Sequence, residues 1–164
     1  MSRELETGLM SLRFSRRMAL ALLDGIPREH RLHVPVTDGN HATWIAGHLA
    51  WEDDDILSHL VPGRGSKLAE SWHGRFAQGS RPGGDAAAYP AYDEIRAALD
   101  RFRAELIGYL SDSVDRLGNP LPDGIHAFAK DLGALMPALA CHEMIHVGQL
   151  TVIRKSLRLP PVFG

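Results

Sequence analysis

The chain has 164 residues, the length of one ordinary domain, and its 45% hydrophobic and 23% charged residues suit a chain that builds a core, which excludes a disordered or collagen-like polypeptide. With 18 Lys and Arg against 20 Asp and Glu the net charge is -2, so no overall field exists to hold nucleic acid. A lone Cys141 forbids an internal disulfide, no segment reaches the ~18 apolar residues of a membrane span, and a charged start at Ser2-Arg3-Glu4 without an apolar signal core leads to the expectation of a cytoplasmic protein.

In chain order, the first predicted helix covers Arg3–Leu23, where Leu5, Leu9, Leu12, Met18, Leu20, Leu22 and Leu23 are interleaved with charges. Asp24-Gly25-Ile26-Pro27 stops it, and a loop over Arg28–Gly39 leads to Asn40 as the N-cap of a second helix, His41–Leu60, which Pro62-Gly63 closes. From 61 to 90 the density of Gly63, Gly65, Gly74, Gly79, Gly83 and Gly84 with Pro62, Pro82 and Pro90 predicts a long crossover, with one short helix near Lys67–Ala77. A third long helix fits Tyr92–Leu117, where Ile95, Leu99, Phe102, Leu106, Tyr109 and Leu110 recur at steps of mostly three and four before Gly118-Asn119-Pro120. The last fits Ala134–Leu157, which leaves Pro137 in a first turn that tolerates its missing N–H; a start nearer Asp131 would instead kink the helix there. Four long amphipathic helices with almost no strand signal predict an all-α fold, a four-helix bundle with long crossover loops, as a single domain over 1–164.

Polar residues occur where these patterns want apolar ones. His142-Glu143-Met144-Ile145-His146 sets two imidazoles one helical turn apart, and Leu135, Leu139, His142, His146, Gln149 and Ile153 follow a spacing of mostly threes and fours that turns them inward. In the second helix His41, Trp44, His48, Trp51 and Asp55 make a similar seam, with His48 between two tryptophans. A buried imidazole without a partner costs about 1–3 kcal/mol. A divalent cation on His48, His142 and His146 removes that cost for all three and keeps the open position of a catalytic site. His41 shares the seam but sits in the first turn, so its role stays open, while His30, His33, His59, His73 and His126 fall in loops or off the seam and read as solvated.

Residues 142–146 also match HExxH, the zinc-peptidase signature. That reading is the weaker one, because Val147–Gly164 holds no His, Asp or Glu as third ligand, and Gln149 and Val152 stand where the longer form wants Gly and His. No predicted strand offers an edge for a peptide either.

The stretch Asn40-His41-Ala42-Thr43-Trp44-Ile45-Ala46-Gly47-His48-Leu49-Ala50-Trp51, together with His142-Glu143-Met144-Ile145-His146-Val147-Gly148-Gln149-Leu150 and Leu157-Arg158-Leu159-Pro160, resembles the DinB-like superfamily over nearly the whole chain. The resemblance implies a four-helix bundle whose helix 2 histidine and i, i+4 histidine pair hold one divalent metal, here His48, His142 and His146, and it suggests a homodimer. Bacillithiol transferases and the mycothiol-dependent maleylpyruvate isomerase are members, which implies a small-molecule substrate and a low-molecular-weight thiol as co-substrate.

A cation on three neutral imidazoles keeps its charge and lowers the pKa of a bound water or thiol, so thiol S-transferase or hydrolase chemistry is expected. Zinc and nickel lead among the metals such donors accept, ahead of copper and iron. The alternative is a non-catalytic bundle with a structural or regulatory ion, whose mark would be a fourth ligand from His41 or Asp55. Asp55 and Gln149 are the expected acceptors for ligand N–H groups; Glu143 reads as a surface carboxylate and Cys141 as an inert packed thiol. Trp44 and Trp51 read as core fillers, and the crossover with Trp72, His73 and Phe76 as a segment able to cover the open position.

Overall fold

A computed structural model describes residues 2–125 and 129–163. Among them there are five α-helices, three short 3-10 turns and no strand; one isolated bridge pairs Pro120 with Asp131.

Helix α1 (Arg3–Asp24) starts where the Ser2 hydroxyl accepts from Leu5 N, and it buries Leu5, Leu9, Leu12, Ala19, Leu22 and Leu23 along one stripe. Helix α2 (Ala42–Leu60) is capped by His41 rather than Asn40: the His41 Nδ1 accepts from Trp44 N at 3.0 Å. Every residue from Ala42 to Ala50 is buried, so the other elements enclose this half of α2. Helix α3 (Glu70–Phe76) is the short helix expected in the crossover. Helix α4 (Tyr92–Ser111) stops six residues short of the expected Leu117, since the Ser113 hydroxyl donates to the Tyr109 carbonyl and the chain continues as a 3-10 turn over Val114–Arg116. Helix α5 (Leu132–Ser156) begins earlier than expected, because Asp131 accepts from Ala134 N at 2.8 Å and makes the better cap. Pro137 therefore lies in the second turn, where it withholds the bond the Gly133 carbonyl would receive.

Helix α1 lies along α5 and α2 along α4, with α1–α4 and α2–α5 contacts between the pairs and α3 laid on α2. Apolar side chains fill the interior in two clusters, one around Ile45, Leu49, Phe76, Leu99 and Leu150, the other around Leu12, Leu57, Phe102, Leu106 and Met136. Each fully buried Leu or Phe contributes about 1.5–3 kcal/mol relative to exposure, so these clusters hold the helices in register. No helix among the described residues is long and apolar enough to cross a membrane.

The crossover is pinned to α2 rather than draped over it. The buried Asp54 carboxylate accepts from the Ser66 hydroxyl at 2.6 Å and from the backbone N–H groups of Lys67 and Leu68, and pairs with Arg64 at 2.8 Å. Further along, Trp44 Nε1 donates to the Arg75 carbonyl at 3.1 Å. The last carbonyls of α3 have no helical partner, and side chains of α2 supply one.

Candidate metal centre

Helices α2 and α5 bring His48, His142 and His146 together, with one ring nitrogen of each within 4.8 Å of the others. The rings meet edge to face with centroids 4.8 to 5.4 Å apart, and His142 Nε2 lies 3.3 Å from His146 Nε2. Two rings are held from behind by an oxygen at Nδ1, the Phe76 carbonyl for His48 at 2.7 Å and Gln149 Oε1 for His146 at 3.0 Å, while Glu52 Oε1 lies 2.7 Å from His142 Nδ1 without the geometry of a hydrogen bond. An acceptor at Nδ1 of a neutral imidazole places the ring proton there and leaves Nε2 its lone pair, as at His48 and His146, and one nitrogen of each of the three rings is close enough to the others to share an ion. A cation is the partner that this set of donors fits.

Burial lowers the pKa of His48; burial, followed by the charges that His48 and His142 would carry, pushes His146 down to about 3, so that ring is neutral at physiological pH. The contact with Glu52 raises His142 instead. Trp44 and Trp51 do more than fill space, for they stack on the two faces of His48, with centroids 4.7 and 5.9 Å away and interplanar angles of 8° and 21°. Gln149 takes its expected place at a ligand N–H, and Asn40 Nδ2 also donates to Gln149 Oε1 at 3.0 Å, which ties α5 to the start of α2.

A cavity of about 150 Å³ opens beside His48 and His142, walled by Trp51, Ile56, Ile125 and Leu139 and by the acidic Glu52 and Asp55. No fourth His, Cys, Asp or Glu among the described residues joins the three histidines. His41, whose role stood open, is fully buried as a helix cap, its Nε2 shared between the Gly83 carbonyl and the Tyr89 hydroxyl. Asp55 does not support an imidazole; its carboxylate lies 4.0 Å from His59, and Glu52, one turn beyond His48, takes the expected place at His142.

Several assignments from the sequence are corrected. Cys141 is exposed rather than packed. His73 is engaged rather than solvated, its Nδ1 accepting from Trp51 Nε1 at 3.0 Å. His126 lies outside the described residues. Glu143 is wholly buried: it accepts from the Ser15 hydroxyl and pairs with Arg16 and with Arg103 at 3.0 Å. Asp53 completes the group, pairing with Arg103 at 2.9 Å and Arg16 at 3.0 Å, so two cations face two anions with all four residues buried. Burial opposes the charge on Arg103, but Asp53 and Glu143 outweigh it and its pKa is raised. The signal for this group was in the sequence: Arg16, Asp53, Arg103 and Glu143 each occupy an apolar stripe at steps of three and four, as in Leu49, Asp53, Ile56 and Leu60.

Comparison with curated proteins gives no match, and comparison with solved structures gives none. One family model does match, the DinB superfamily, over residues 11–150, a span that holds all three histidines and all four members of the buried charge group. A match over most of the chain, with a three-histidine cluster at the point the geometry singles out, makes this chain a member of the DinB superfamily.

Proposed function

We propose that the protein is a divalent-metal-dependent enzyme acting on a small molecule, with His48, His142 and His146 as the metal ligands and thiol S-transfer or hydrolysis as the reaction. On this reading α1, α2, α4 and α5 form the four-helix bundle of the superfamily, one domain over 1–164. The observation that carries the proposal is the convergence of three imidazoles beside a cavity, with no fourth His, Cys, Asp or Glu among the described residues joining them. A closed shell would have favoured the structural ion instead. Zinc and nickel both suit three imidazoles.

A divalent cation in this place would supply Lewis acidity, favouring the deprotonated form of a thiol or water brought to it. The chain's own residues prepare for that task. The Phe76 carbonyl and Gln149 fix the orientation and tautomer of His48 and His146, Glu52 lies against His142, and burial keeps His48 and His146 neutral, so neither must shed a proton to ligate. The stacked faces of Trp44 and Trp51 help to keep His48 buried.

Metal analysis of protein purified without a metal-affinity column is expected to find one ion per chain. His48→Ala should lose it while the helical circular dichroism stays, and retained metal would remove His48 from the ligand set. Turnover with bacillithiol, mycothiol or glutathione and a model electrophile then separates the readings: full occupancy without turnover of any pair, or of a hydrolysable ester, favours the non-catalytic ion.

A further inference from the structure

The cavity beside the histidines has an uneven wall. Along α2 it runs from His48 through Glu52, one turn on, to Asp55 and Ile56, about 10 Å at the helical rise. Beyond α2 the lining holds the apolar Ile125, Ala138 and Leu139 together with His142 and the Gln78 amide. Two carboxylates line the space and no Lys or Arg does among the described residues. The nearest imidazoles are both engaged elsewhere: His59 Nδ1 lies 2.8 Å from the Asp55 carbonyl oxygen, and His73 Nδ1 accepts from Trp51 Nε1 at 3.0 Å. Glu52 sets one oxygen against His142, and the other is buried with no hydrogen-bond partner among the described residues. Asp55 is partly buried, and that burial, ahead of its neighbours' charges, raises its pKa, the mark of a carboxylate short of compensation.

Building on the metal-enzyme reading above, we propose that the cavity takes an elongated small molecule with an apolar middle and a terminal amine. Its reacting end lies at His48 and His142, its ammonium group meets Asp55 about two helical turns away, and the site discriminates against molecules that end in a carboxylate. An ammonium supplies N–H donors and positive charge where the α2 wall offers the carboxylates of Glu52 and Asp55; the aliphatic stretch matches Trp51, Ile56 and Leu139. A carboxylate at the Asp55 end would be desolvated beside two others with no Lys or Arg among the described lining residues to receive it.

The test compares 6-aminohexane-1-thiol with 6-mercaptohexanoate by titration calorimetry on zinc-loaded protein, with zinc stoichiometry measured on the same sample. The amine should bind about tenfold more tightly than the acid, and Asp55→Asn should shrink that ratio to about threefold or less by weakening the amine alone. Equal affinities, a preference for the acid, no measurable binding of either thiol to fully loaded protein, or a ratio that Asp55→Asn leaves intact would each overturn the proposal while the metal site stands. If the protein takes up no zinc, the metal reading fails by itself. The cavity preference is then read on metal-free protein with hexylamine against hexanoate, where a preference for the amine that Asp55→Asn abolishes supports it and its absence overturns it.

Discussion

Two groups of polar side chains lie buried in the same helices, a single residue apart at His142 and Glu143, and they solve the problem of burial in opposite ways. In the group made by Arg16, Asp53, Arg103 and Glu143 each charge faces its opposite, and the spare arginine N–H groups go to the carbonyls of Leu12 and Leu99. The histidine group is held only on its outer side, at Nδ1, and leaves one nitrogen of each ring close to the others next to open space. A closed polar group specifies how helices meet; one left incomplete on purpose of geometry is where a ligand belongs.

The contrast breaks most sharply at Glu143. Glu143→Ala leaves two buried guanidinium groups against one carboxylate, and it should destabilise the fold by about 3–5 kcal/mol, lowering the melting temperature by roughly 10 °C, while metal stoichiometry measured well below the transition stays unchanged. A loss under about 1 kcal/mol would mean that the group is not a closed network. Gly47→Ala probes the join between helix and crossover: a Cβ there collides with the Phe76 ring, so about 1–3 kcal/mol of stability should be lost. Because the Phe76 carbonyl holds His48, metal affinity should fall in the same variant, and unaltered affinity would show that this carbonyl does not orient the ring. The smallest effect is expected at the histidine group's own support. Gln149→Leu removes the acceptor for His146 Nδ1 and should weaken metal binding about tenfold, with thermal stability changed by under about 1 kcal/mol. Competition with a metal chelator measures the first and calorimetry the second, and a large stability loss without an affinity change would recast Gln149 as a tie between helices.

Much of this was legible beforehand, for a stated reason. His48, His142 and His146 interrupt apolar seams, and a polar residue in a seam announces itself whatever its partner. The same rule applied to Asp53 and Glu143 finds the charge group, yet Glu143 reads as a surface carboxylate when set against the seam of His142, off which it turns, and as an inward residue only on the stripe Leu139, Glu143, His146 and Leu150. Asp55 lies on the seam of His48 and Glu52 off it, yet it is Glu52, four residues on from His48, whose carboxylate lies 2.7 Å from His142 Nδ1. The ends of α4 and α5 moved because Ser113 and Asp131 bond locally to the backbone, a competition that apolar periodicity does not register.

Helical periodicity and the positions of three histidines are properties of the chain taken one segment at a time, and the amino-acid sequence alone determined them: which stretches coil, which face turns inward, which imidazoles go with it. What holds those imidazoles was decided only in three dimensions, since the Phe76 carbonyl is 28 residues from His48 and Glu143 lies 127 residues from Arg16. A hydrogen bond or ion pair between distant segments leaves no periodic trace, because its partners need only meet in space, and any of several acceptors could have met each ring until packing chose one.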